Sequence, residues 1–463
     1  MTSPLEDSLL DLDRKRVVVV GLGTSGIAAC RLAKSFGARV IGTDSKKADA
    51  VSAEVKALEA EGITLVLGGH AEAKMNDVDL VVVSPGVPSF RELEDAERAG
   101  VPIWGEVELA VRASLTRARA AGRKAPRLVA IGGTNGKSTT TSLVGALLEA
   151  AGLSTFTGGN LGEPLAAHVD EAFDAIVLEV SSFQMERVDA FHPDVAVLLN
   201  VTADHLDRYA DMAAYATAKG NAFLRQGERD VAVVPVGDDV CVREARRGRA
   251  SVVTFGPGGD VDVTPDAVID RARDAVYPRR DMRLAGGHNA MNVAASIAAV
   301  RPFDLPVATI RDVLATFEGL AHRMALVLEH RGVRWYDDSK GTNVGASVTA
   351  VRGISEEKVV LIAGGKDKGG SYGPLVDALR ERGRAAVLIG EASGLIADAI
   401  GDAVPVRRAK TMEEAVALSA ELAQPGDAVL LSPACSSFDM FRDYKHRGDV
   451  FVAAVKALAG GAR

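Results

Sequence analysis

The chain has 463 residues, 47% apolar and 25% charged, with a net charge of −8. At roughly 150 residues per domain this predicts about three cores. No apolar run approaches the roughly 20 residues of a membrane helix, and the dispersed basic residues leave no nucleic-acid footprint. Cys30, Cys241 and Cys435 are far apart and odd in number, which excludes a disulfide framework and a CxxC metal pattern; they read as buried thiols.

The opening stretch MTSPLEDSLLDLDRKR lacks the basic-then-apolar order of a secretory signal, so a cytoplasmic protein is expected. RVVVVGLGTSG follows, a strand running into GxGxxG, with Asp44 ending the next strand where a ribose-binding acid is expected. Alone, this supports a dehydrogenase. SPGVPS at 84–89 either brings more backbone donors to the same ligand or is a proline-bounded turn. AVRASLTRARAAGRKAPR reads as a polar helix and tether into a second block.

That block starts with LVAIGGTNGKSTT, residues 128–140. The strand stops at Gly132 and helix formers resume at Ser138, so loop N–H groups and a helix N-terminus converge where an anion is stabilised. Gly133 and Gly136 allow close backbone approach, Lys137 reaches outer phosphates, and Ser138 and Thr139 offer hydroxyls to phosphate or Mg²⁺. The glycine usual five places before Gly136 is Ile131, and a bare GKS triplet is often only a turn with an exposed lysine. Glu179 and Asp204/His205 weigh against that reading, because they follow DAIVLEV and DVAVLLNV at strand carboxyl ends, where α/β sheets gather ligands. VREARRGRA at 242–250 reads as a solvated helix face.

In the third block MALVLEHRGVRWYDDS alternates around Gly332, predicting a hairpin, and KVVLIAGG, AAVLIG and DAVLLSPA repeat the buried-strand pattern. Such continuous apolar runs imply largely parallel, helix-covered sheets, hence an α/β protein. The expected domains are 1–105, Rossmann-like; 106–319, a P-loop nucleotide domain; and 320–463, Rossmann-like. A nicotinamide enzyme has no need of a second phosphate loop, whereas an enzyme using ATP and a nucleotide-linked substrate does.

GGHNAMNVAAS, FEGLAHRMA, YDDSKGTNVGAS, AGGKDKGG and LSPACSSFDMF follow the phosphate loop in order. With GTNGKS, whose short form suits Ile131, this set resembles the Mur ligases along essentially the whole chain. The resemblance implies an ATP-dependent amide ligase of peptidoglycan precursor synthesis, acting on UDP-N-acetylmuramoyl-L-alanine and D-glutamate through an acyl phosphate. A DNPR-like string, typical of the sibling that adds diaminopimelate or lysine, is absent. A monomer is expected.

The resemblance further implies that Gly133, Thr134, Asn135, Gly136, Lys137, Ser138 and Thr139 hold ATP phosphates. Asn289 would face adenine, with Arg323, Asp338 and Lys340 approaching phosphates and ribose. Ser138, Glu179, His205 and a carbamylated Lys219 would serve two Mg²⁺ ions. Thr24, Ser25, Ser45, Lys46, Ser84, Gly86 and Asn160 would bind the UDP substrate. Thr342, Lys368, Ser437 and Tyr444 would bind the amino acid; Tyr444 stands where family members often have Phe.

Overall fold

Strands buried on both faces pair in parallel when crossover helices return the chain to the same sheet edge. The computed structural model, describing residues 9–204, 208–284, 286–368 and 371–460, builds three such sheets. The first is five-stranded and parallel, in the order Thr64–Leu67, Arg39–Asp44, Arg16–Val20, Leu80–Val83, Ile103–Gly105. Its strand order reverses beside Arg16–Val20, which opens a crevice at the carboxyl end of that strand.

In the second sheet Arg127–Gly132 lies between Ala175–Glu179 and Val195–Leu198, all parallel. Ile131 pairs with Glu179, and Gly132 with Leu198, so the segments leaving all three strands emerge at one edge. Thr155–Gly159 flanks one side; Val231–Pro235 and Ser251–Gly256 continue the other. Val261–Val263, Ala267–Asp270 and Ala275–Pro278 extend that side, the last two antiparallel, to nine strands among the described residues. Sequence reading missed this extension because runs of three or four residues carry little periodicity.

The third sheet has the order Ala325–His330, Val333–Asp337, Ala428–Leu431, Val359–Gly364, Gly383–Ile389, Val406–Arg408. Its first two strands form the expected hairpin. Arg331 and Gly332 turn it with φ of 54° and 74°, the doubly positive geometry of a tight two-residue loop.

The stretch expected to be a polar helix and tether does form a helix, Glu106–Ala120, but one buried over most of its length. Val107, Leu109, Ala110 and Val111 join residues of the first two sheets in one apolar core. Two of the helix's buried charges are paired. Glu108 pairs with Arg112 at 2.6 Å and accepts the N–H groups of Asp189 and Ala190, while Arg112 reaches Asp189 and stacks over Trp104. Only residues 121–126 form an exposed connection.

The expected solvated face at 242–250 is also partly tied down: the helix Asp239–Ala245 buries Glu244, which receives Arg243 and Arg247. All three cysteines are free and buried, as expected. Among the described residues no helix is long and apolar enough to cross a membrane.

Candidate active site

The phosphate loop is held open by its neighbours. Gly133 and Gly136 have φ of 143° and 86°, conformations that disfavour a side chain. A Cβ on Gly136 would collide with the Asn292 side-chain oxygen. Asn200, two residues beyond the neighbouring strand Val195–Leu198, splints the loop. Its Oδ1 accepts from Asn135 N at 2.9 Å and its Nδ2 donates to Asn135 O at 3.0 Å. Thr134 donates to Thr202 O at 3.1 Å, and Lys137 Nζ donates to Thr134 O at 2.8 Å. The helix Lys137–Ala150 then begins with Ser138 and Thr139 buried. Asn200 and Asn292 were not anticipated from sequence; a polar side chain just past a buried strand was the available signal for Asn200.

Glu179 ends the strand on the other side and is 1% exposed. Burial alone would raise its carboxyl, but the Lys137 charge and hydrogen bonds with Ser138 and Asn160 outweigh that and hold it below the usual range. Its Oε1 accepts from Asn160 Nδ2 at 2.7 Å, whereas Oε2 is buried with no hydrogen-bond partner. An orphaned carboxylate oxygen beside hydroxyls suits a hard divalent cation. Among the described residues no group of three or more His, Cys, Asp or Glu gathers as a ready metal cage, so such an ion would need hydroxyl, phosphate and water oxygens as well.

Lys219, on the helix Met212–Gly220, is also buried. Its Nζ donates to Gly133 O at 2.8 Å and lies 4.5 Å from the centroid of the Tyr215 ring. Burial and the nearby Lys137 charge drive its pKa well below the lysine range. His205, the expected second metal residue, lies outside the described residues.

The third domain reaches this edge. Arg323 donates to Ser138 Oγ at 3.0 Å, and Asn343 Nδ2 to Asn135 Oδ1 at 3.3 Å. Between the domains is a cavity of about 430 Å³ whose walls include Gly136, Thr139, Phe255, Asn289, Arg323 and Asp338. The expected ATP residues Asn289, Arg323 and Asp338 thus share one space with the phosphate loop. Burial raises the Asp338 carboxyl to about 7, despite a 2.7 Å hydrogen bond from Ser432. Burial lowers the Lys340 amine to about 8; it lies 4.0 Å from the centroid of the Tyr444 ring.

Thr24, Ser25, Ser45, Ser84 and Gly86 line a separate cavity of about 810 Å³ on the first sheet. There Asp44 braces the glycine loop, accepting from Leu22 N at 2.8 Å, and Ser84 donates to Gly21 O at 2.6 Å. Lys46 and Asn160 are not among its walls; Lys46 N donates to Asp44 at 2.9 Å. The expected amino-acid residues divide. Lys368 lines a third cavity, of about 290 Å³, with Asp204 and Asn343, and its Nζ is 3.8 Å from Asp204. Thr342, Ser437 and Tyr444 stand outside that cavity's walls. Ser437 is buried, and Tyr444 lies beside Lys340.

A phosphate loop capped by an arginine from a neighbouring domain, with a second loop cavity on a Rossmann-like sheet, defines a three-domain nucleotide-binding α/β enzyme. Family matches specify which. The MurD-like N-terminal domain of Mur ligases matches residues 15–105, the Mur ligase middle domain 131–300, and the Mur ligase glutamate ligase domain 322–435. The chain belongs to the Mur ligase family. It is 44% identical to the UDP-N-acetylmuramoylalanine–D-glutamate ligase of Pelobacter propionicus, covering 97% of this chain and 100% of the relative. The like-named protein of Geobacter metallireducens is 43% identical over 98% and 100%.

Solved structures share the fold. Thermotoga maritima MurF ligase in complex with ADP superposes with a TM-score of 0.60 at 18% identity, covering 99% of this chain and 100% of that one. Mycobacterium tuberculosis folylpolyglutamate synthase gives 0.56 at 18%, over 76% and 95%.

Proposed function

We propose that the chain is an ATP-dependent ligase that joins D-glutamate to UDP-N-acetylmuramoyl-L-alanine in the cytoplasmic assembly of peptidoglycan precursors. The observation that carries this reading is the convergence of Glu179 and Arg323, from different domains, on one phosphate loop, in a chain similar over its full length to ligases of that name.

A carboxylate is a poor electrophile, so amide formation needs activation. The L-alanyl carboxylate attacks the ATP γ-phosphorus, ADP leaves, and an acyl phosphate forms. Lys137, Arg323 and the loop N–H groups stabilise the charge spread over the equatorial oxygens. The D-glutamate amine then adds to the acyl carbon, loses a proton and expels inorganic phosphate, leaving the amide. Asn289 and Asp338 orient the nucleotide; Thr24, Ser25, Ser45, Ser84 and Gly86 orient the UDP moiety; Lys368 attracts a carboxylate of the amino acid. The domain seam over the loop excludes water from the acyl phosphate.

Ser138 and Glu179 are the residues that would hold Mg²⁺, which when bound neutralises phosphate charge. Lys219, whose buried amine gives up its proton more readily than a surface lysine, would accept CO₂ as a carbamate and so exchange a cation for an anionic oxygen donor. The test is product mass from UDP-N-acetylmuramoyl-L-alanine, ATP and each glutamate enantiomer. A mass increase with the D enantiomer alone is expected. Amide formation only on a folate acceptor would overturn the assignment, as would nucleotide binding with no amide at all.

A further inference from the structure

We propose that Asn343 is a positioning residue that latches the third domain to the phosphate loop; this deepens the ligase reading and rests on it for its activity arm. One side chain does two jobs. Its Oδ1 accepts from Ala346 N at 2.8 Å, capping the helix Val344–Gly353. Its Nδ2 donates to Asn135 Oδ1 at 3.3 Å and to Asp204 Oδ2 at 3.2 Å. The cap fixes the orientation of the amide: with the oxygen turned to Ala346 N–H, the NH₂ must face the central domain.

Both targets belong to the phosphate edge. Asn135 directly precedes Gly136, the residue before the helix Lys137–Ala150, and its backbone is clamped by Asn200. Asp204 also faces a cation of the third domain, with Lys368 Nζ at 3.8 Å. The N-terminus of one third-domain helix therefore rests on the loop, and the residues it joins are 208 and 139 positions apart. With Arg323 on Ser138, the domain is held at two separate points, which restricts its rotation more than either contact alone. Asn343 and Lys368 line the same cavity, so the latch that registers the loop also sets where Lys368 stands.

Two variants separate latch from cap. In Asn343→Ser the hydroxyl still caps the helix but is too short to reach Asn135 and Asp204. In Asn343→Asp the carboxylate caps, has no donor to give, and repels Asp204. Both variants are expected to melt within about 2 °C of the parent chain. Turnover is expected to fall at least about tenfold, with KM for the UDP substrate unchanged within about twofold. Small-angle scattering with ADP alone is expected to show a less compact particle for both variants than for the parent chain.

Parent-like turnover and compaction in both variants would overturn the latch. The ADP scattering uses neither acceptor nor amino acid, so its failure is distinguishable from failure of the parent chain to form the amide.

Discussion

Lys219 Nζ donates to the carbonyl oxygen of Gly133 across 86 positions of sequence, from a site that is 5% exposed. Burial there lowers the basicity of the amine, which raises its share of the nucleophilic unprotonated form above that of surface lysines. With ¹³C-bicarbonate, a carbamate carbon resonance is expected in the parent chain and not in Lys219→Ala. Turnover of Lys219→Ala and Lys219→Arg should fall by about 100-fold or more, since arginine restores charge but not CO₂ chemistry. An identical spectrum for parent and variant would rule the modification out.

Glu179→Gln tests the orphaned oxygen. Replacing the buried Oε2 with an amide removes an anionic donor while keeping an oxygen for Asn160. The Mg²⁺ concentration for half-maximal ADP release should rise, and turnover should fall by roughly 100-fold, with melting of the ligand-free protein little changed. Unaltered Mg²⁺ dependence would remove Glu179 from the cation's surroundings.

Glu106 gives stability a pH dependence. Burial raises its carboxyl from the ordinary 4.5 to about 7, with only a 3.2 Å hydrogen bond from Ala166 N opposing the shift. Below about pH 4.5 both folded and unfolded forms are protonated. As pH rises toward 7 the unfolded chain releases this proton first, so folding stability falls across that window and stays lower above it. The loss is on the order of 3 kcal/mol at about 1.4 kcal/mol per pK unit. Urea melts of Glu106→Gln should therefore match the parent near pH 4.5 and exceed it at pH 8; parallel curves would show that the carboxyl ionises freely.

Gly136→Ala should disable the phosphate loop. The substitution demands φ of 86° from an alanine and drives its Cβ into Asn292. A cost of about 1–3 kcal/mol and a turnover loss exceeding that of a surface Gly→Ala control are expected, read by thermal melting and ADP release.

Much of this architecture was legible from the chain itself. RVVVV, RLVAIG, AIVLE and VVLIAG are too uniformly apolar for anything but strands covered on both faces, and they are buried throughout their cores. GTNGKS announced its own turn because glycine is required at two of its conformations. What stayed hidden was tertiary. The arginines of Glu106–Ala120 look solvated until Glu108 and Asp189 neutralise Arg112, and no local pattern marks that helix as buried. Asn200 and Asn343 are ordinary polar residues in one dimension; they matter because strand order and a domain seam bring them to Asn135.

The most direct measurement follows oxygen. UDP-N-acetylmuramoyl-L-alanine labelled with ¹⁸O in its alanyl carboxylate is converted with ATP and D-glutamate, and the inorganic phosphate released is weighed. Attack of that carboxylate on the γ-phosphorus predicts one ¹⁸O transferred per amide formed. Amide formation with unlabelled phosphate would contradict the acyl-phosphate route, and with it the role given to the Lys137–Glu179–Arg323 cluster.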